Sequence, residues 1–179
     1  MPRYIAFLRG INLGKRRLPM SRLKDAFEEL EFADVATFIA SGNVLFSCKG
    51  TNTSWLESRI AKQLETSLGY PVDTFVRTAA EVTAISRARI FPEAGQAGVT
   101  IHVSFWHQSA TADFARQLAA VRTDEDEFRV TGREFYWLCR VRTSDSKVWS
   151  LPAIKALPFP TSTMRNMTSL RKLVAKHLN

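Results

Sequence analysis

A chain of 179 residues with 45% apolar and 23% charged side chains is long enough for one large domain or two small ones, and too apolar for disorder. Its formal charge of +8 suits anionic partners, and no stretch approaches the roughly 20 apolar residues that a membrane span needs. The opening MPRYIAFLRG has an apolar run that stops at Arg9 with no small-residue cleavage site, so no signal peptide is expected and the expected address is the cytoplasm.

Tyr4 to Leu8 read as a short buried strand, followed by a polar loop over 9–19 and a helix in which Met20, Leu23, Phe27 and Leu30 recur at helical spacing. Thr37 to Ala40 and Val44 to Cys48 are β-rich runs joined by Ser41, Gly42 and Asn43, which is a hairpin signal. Ser54 and Glu57 have capping-box spacing ahead of a helix lined by Leu56, Ile60, Leu64 and Leu68 and stopped by Gly69. Val72, Thr74 and Val76 then alternate with Asp73, Phe75 and Arg77 as a strand. The resulting order, β-α-β-β-α-β, is that of a ferredoxin-like unit.

A second capping box, Thr78 with Glu81, opens a linking helix to about Ala88, and 91–98 reads as a connection. The pattern then restarts with a strand over Val99 to Trp106, a helix carrying Phe114, Leu118 and Val121, and a hairpin turning at Thr131, Gly132 and Arg133. A short helix near Leu151 to Leu157 with Pro152 in its first turn and a weak strand near Ser162 to Arg165 complete the unit. The closing helix shows its stripe in Leu170, Leu173, Val174, His177 and Leu178. The expected fold is therefore α+β, two tandem ferredoxin-like halves with a C-terminal helix, divided as 1–90 and 91–179.

The positive charge is uneven. Residues 1–25 carry +6 and residues 140–179 carry +7, whereas the middle carries −5. If the two ends meet they form one surface for phosphate-bearing ligands; if they do not, they are two solvated faces.

Three segments, LRGINLG at 8–14, SGNVLF at 41–46 and TMRN at 163–166, together resemble the bacterial family of domain of unknown function 1697 (DUF1697), with Arg77, Thr78 and Glu81 in a further similar stretch. The resemblance implies a duplicated ferredoxin-like architecture and a cytoplasmic bacterial source, and it brings no established activity. Lys15 stands where the family usually has a second glycine, and Met167 where a tryptophan usually follows Arg-Asn.

Gly10 and Gly14 could bring backbone N–H groups to an anion with Lys15 adding charge, or could simply relieve strain in a turn. A nucleotide-triphosphate loop is not expected: GINLGKR is one residue short of that template and has Arg16 in place of the metal-binding Ser or Thr. Arg165 and Asn166 precede the last helix, whose start at Thr168 and Ser169 offers N–H groups and a positive dipole end; the alternative is that Arg165 pairs with an acidic neighbour or a sheet carbonyl and Asn166 caps a turn. The candidate anion-binding residues are Arg9, Asn12, Lys15, Arg165 and Asn166, with Gly10, Gly14, Ser41, Asn43 and Thr163 in support.

His102, His107 and His177 are scattered, Cys48 and Cys139 read as reduced packed thiols, and no metal or cofactor is expected. The run Asp124 to Glu127 reads as solvated. Trp106, Tyr136 and Trp137 could stack bases but suit a core, and NVLFSC lacks the run that an RNA recognition motif requires. The leading expectation is a binding module for a nucleotide, nucleic acid or other phosphate-containing anion. An enzyme acting on a small anionic metabolite is the alternative, although no general base stands out. An interaction scaffold is a third.

Overall fold

Tyr4 to Leu8 are buried along their whole length because the strand they form lies inside a sheet covered on both faces. The structure, a computed structural model, describes residues 1–179 except Leu13, Arg16, Ala40, Ser41 and Asn179. The chain divides into two units, Met1–Ile85 and Ser86–His177.

In the first unit the elements are β1 (Arg3–Leu8), α1 (Met20–Glu28), β2 (Ala33–Phe38), β3 (Asn43–Ser47), α2 (Thr53–Leu68), β4 (Thr74–Thr78) and the start of α3 (Ala79–Arg87). The sheet runs β2-β3-β1-β4 with every neighbour antiparallel. Tyr4, Ala6, Leu8, Val44, Phe46 and Val76 share a core with Leu23 and Phe27 of α1 and Leu56, Ile60 and Leu64 of α2. Ile5, Phe7, Leu45, Phe75 and Arg77, on the other face, are fully buried as well.

The expected Ser54–Glu57 capping box does not form. Helix α2 starts two positions earlier, with Asn52 in place of Ser54 as its cap, accepting the Trp55 N–H at 3.0 Å. Glu57 therefore lies beyond the first turn and reaches the sheet, where Oε1 accepts the N–H of Val76 on edge strand β4 at 2.8 Å. The Thr78–Glu81 box does form: Glu81 Oε2 accepts the Thr78 N–H at 2.7 Å and Thr78 Oγ1 accepts the Glu81 N–H at 3.1 Å. Gly69 ends α2 in the left-handed conformation.

The second unit contains β5 (Thr100–Phe105), α4 (Ala112–Ala120), β6 (Asp126–Thr131), β7 (Glu134–Cys139), α5 (Pro152–Lys155), β8 (Thr163–Asn166) and α6 (Met167–His177). Its antiparallel sheet runs β6-β7-β5-β8, the order of the first unit repeated. Trp106, Phe114, Phe128, Phe135, Trp137 and Ile154 build one core, and Trp149 and Phe159 pack on it. Tyr136 is buried too, so the strand aromatics are interior groups and present no stacking platform.

Asp124 to Glu127 is solvated only in its first half: Asp124 and Glu125 are exposed, but the next two carboxylates are not. Asp126 is only 1% exposed and Glu127 is also buried, because β6 has begun and its register draws both side chains into the sheet. The Asp126 carboxylate accepts from Trp137 Nε1 at 2.8 Å, Ser146 Oγ at 2.8 Å and Thr123 Oγ1 at 3.0 Å. A buried charge with three donors is tolerated where a bare one would not be.

The repetition extends to single residues. Arg77 in β4 pairs with Ile5, and Arg165 in β8 pairs with Val103. Each arginine uses Nη1 to donate to the carbonyl of the preceding residue, at 2.9 Å in both cases. Each is followed by a residue that caps a helix: Thr78 caps α3, and Asn166 Oδ1 accepts the Thr168 N–H of α6 at 2.7 Å. Cys48 and Cys139 also correspond, Cys48 directly after β3 and Cys139 at the end of β7, each with Sγ directed at the carbonyl two residues on. Both thiols are free and buried, and burial raises their pKa.

Candidate functional site

The connection from β1 to α1 is pinned at three places. Leu8 N–H donates to the Gly42 carbonyl at 2.8 Å, and Arg9 N–H to the Asp73 carbonyl at 3.0 Å. Asn12 Oδ1 accepts the N–H of buried Leu18 at 2.9 Å and so closes the loop on itself. Gly10 and Gly14 turn the chain at φ 74° and 60°. Gly42, at φ +81°, lies so near Ile11 that a Cβ would stand 2.8 Å from Ile11 Cδ1, so the hairpin turn must be glycine for the loop to close over it.

Between these pins the loop presents Lys15 and Arg17 to solvent. A cavity of about 450 Å³ is lined by Asn12, Arg17, Leu18 and Pro19. Among the described residues neither Lys15 nor Arg17 forms an ion pair, and no acidic side chain lines the cavity. Arg9 differs from them. Its Nη1 lies 3.3 Å from Asp73 Oδ2, so its charge is answered by a carboxylate on the chain.

The other candidates are drawn into the framework of their own units. Arg165, 9% exposed, donates to Thr163 Oγ1 at 2.8 Å and to the Met164 carbonyl, and burial lowers its pKa to about 10. Asn166 takes up the Thr168 N–H, one of the donors expected to face an anion. Asn43 is buried and ties its hairpin through Nδ2 to the Phe38 carbonyl at 3.0 Å. Ser41 lies outside the described residues. The structure thus brings Asn12, Gly14 and Lys15 into one loop with Arg17, and it assigns Thr163, Arg165, Asn166 and Asn43 to structural bonds.

Arg17 was visible only as one charge among several at the N-terminus; the Asn12 side chain that folds the loop back toward it is a tertiary feature. A second charged cluster also went unread. Glu127 is approached by Arg129 at 2.6 Å, Arg140 at 3.1 Å and Arg122 at 3.5 Å, and Arg140 also pairs with Glu93 at 2.7 Å. The hydrogen bond from Arg140 lowers the Glu93 pKa. Two carboxylates thus share three guanidinium groups, an arrangement that binds β6, β7 and the connection 91–98 together.

At the β5–α4 connection of the second unit, the counterpart of the loop at 9–19, another cavity measures about 470 Å³. It is lined by residues 107–111, Phe114, Pro158, Pro160 and Thr161. Among the described residues no group of His, Cys, Asp and Glu could hold a metal ion. No helix formed by the described residues is long and apolar enough to cross a membrane.

Comparison with known proteins gives a family and a fold. A family model described as "Protein of unknown function (DUF1697)" matches residues 1–136. No curated protein matches the chain. Among solved structures, the conserved bacterial protein SP0830 from Streptococcus pneumoniae is similar at 16% identity over 96% of each chain, with a TM-score of 0.67. At that identity the likeness concerns the fold.

Proposed function

The chain belongs to the DUF1697 family of proteins of unknown function, and for this member we propose a binding module for an anionic, phosphate-containing ligand held on the β1–α1 loop. The observation that carries the proposal is the cavity lined by Asn12 and Arg17, with Lys15 exposed and no acidic side chain among the described lining residues. Lys15 and Arg17 supply positive charge, Arg17 offers a planar fork of donors matched to phosphate oxygens, and Asn12 fixes the loop. Arg9 contributes less because Asp73 competes for it.

Each unit is read as ferredoxin-like. The element order and the strand orders β2-β3-β1-β4 and β6-β7-β5-β8 support this. A bacterial, cytoplasmic setting belongs to the same proposal. It is supported by two free buried thiols and by likeness to a bacterial protein.

The test is titration with pyrophosphate, ATP and a short single-stranded oligonucleotide at low and at physiological salt. The expected result is binding that weakens as salt rises, and a loss of about tenfold or more in the double variant Lys15→Glu, Arg17→Glu. If none of the three binds at low salt, where phosphate contacts are strongest, the proposal is wrong.

A further inference from the structure

The frame builds a cavity at the same connection twice, about 450 Å³ after β1 and about 470 Å³ after β5, but with different chemistry. The register fixes the correspondence. Leu8 N–H donates to the carbonyl of Gly42, at the turn between β2 and β3, and Trp106 N–H donates to that of Arg133, at the turn between β6 and β7. His107, Gln108 and Ser109 therefore stand where the first unit has Arg9, Gly10 and Ile11.

The lining of the second cavity, among the described residues, contains no lysine, arginine or carboxylate. Nor does the start of α4 favour an anion. Asp113 sits in its first turn, where Arg116 and Gln117 hold it, and Thr111 already accepts the Phe114 and Ala115 N–H groups. Phe114, Pro158 and Pro160 provide stiff apolar walls. The Phe114 ring is fixed by edge contacts with Trp106 at 5.6 Å and Phe159 at 5.3 Å. Gln108, Ser109 and Thr161, all exposed, add neutral hydrogen-bonding groups to the lining, with the imidazole of His107 beside them in sequence. The volume falls within the range of about 300–1,000 Å³ usual for small-molecule sites, and apolar walls with a few convergent polar groups are their usual make-up.

We infer that this cavity is a binding site for a small, uncharged, flat aromatic molecule carrying a hydrogen-bonding edge. The inference is independent of the anion site in the first unit. A flat ring gains by stacking on Phe114 and the proline rings, a neutral edge satisfies Gln108, Ser109 and Thr161, and a charged group would find no lysine, arginine or carboxylate among the described lining residues, only the imidazole of His107.

Benzamide, benzoate and cyclohexanecarboxamide separate these requirements, since benzoate keeps the ring but adds charge and cyclohexanecarboxamide keeps the amide but loses flatness. Each is titrated into the ¹⁵N-labelled full chain. Benzamide is expected to give saturable amide shifts at Gln108, Ser109, Ala110, Thr111 and Thr161, with a dissociation constant of about 1–10 mM, as suits a ligand of this size. The other two should bind about tenfold more weakly or not at all. The exposed Thr161→Trp substitution fills the cavity without touching the core and should abolish the benzamide shifts while leaving the remaining spectrum unchanged. Inorganic phosphate added to the same sample should instead move Asn12, Lys15 and Arg17, so failure of one site is read separately from failure of the other. The inference is overturned by the absence of saturable benzamide shifts, by benzoate or cyclohexanecarboxamide binding as tightly as benzamide, or by benzamide binding that survives Thr161→Trp.

Discussion

The first unit covers its sheet with α2, a helix of 16 residues, where the second has only the 4 residues of α5 behind a single 3-10 turn, Val148–Ser150. The strand order is nevertheless the same. Large rings make up the difference. Trp149 packs against Phe128, Trp137 and Phe159 at 5.5, 5.3 and 6.0 Å, and Phe159 lies 5.8 Å from Phe135. Aromatic side chains each bury roughly 150–250 Å², enough to replace much of a helical stripe. The fold is therefore set by strand register and by the caps that follow the last strands, while the covering helix is open to change. The same division holds for the cavities: the frame places them, and the loop residues decide whether they are cationic or neutral.

Four measurements probe this comparison, beginning with the largest effect. Glu57→Ala removes the acceptor of the Val76 N–H and the carboxylate 3.9 Å from buried Arg77, with an expected loss of about 3 kcal/mol in urea unfolding and faster hydrogen exchange at Val76. A loss below about 1 kcal/mol would mean that β4 is held without Glu57. In the second unit, Asp126→Ala leaves Trp137 Nε1 and Ser146 Oγ without their acceptor, with an expected loss of about 2 kcal/mol.

Thr78→Ala and Asn166→Ala should each reduce stability by about 1 kcal/mol, the usual value of a helix cap. Equal losses sharpen the equivalence of the two Arg-plus-cap segments, and a large difference breaks it. The smallest effect concerns His102, which stacks on Trp137 at 5.1 Å and whose pKa is lowered by burial. Since the unfolded chain takes up this proton first, the contribution is present above about pH 6.5 and fades as pH falls toward the lower folded value. The equivalent position in the first unit is Tyr4, which cannot titrate in that range. His102→Phe, which keeps an aromatic ring at the position, should flatten the dependence of the unfolding midpoint on pH below about 6.5.

Local signals made most of the fold legible. Apolar spacing in α1 and α2, Gly69 at a helix end, the Thr78–Glu81 box and the turn at Gly132 each act within a few residues, and the structure places each where the spacing suggests. Errors came where a side chain serves a distant partner. Glu57 had the right spacing from Ser54 for a cap but is used by Val76, 19 residues on. Asp126 and Glu127 lie in a run that reads as solvated, but they are buried by pairing with a strand that follows. Arg165 reads either as an anion ligand or as the partner of an acidic neighbour or a sheet carbonyl, and its guanidinium donates to the Met164 carbonyl of β8 itself, a choice that charge and motif leave open. The polar loop at 9–19 was legible as a loop, whereas the clasp between Asn12 and Leu18 that shapes its cavity depends on the folded backbone.

The equivalent burial of Cys48 and Cys139 gives each unit one thiol that reagents in solution reach only when that unit opens. Because the pair sits at matching positions, a thiol-reactive dye under native conditions acts as two clocks built into one molecule. A single rate would mean that the halves breathe as one cooperative body. Two rates, assigned with Cys48→Ala and Cys139→Ala, would show which half gives way first, and so whether the long helix or the aromatic packing makes the more durable roof.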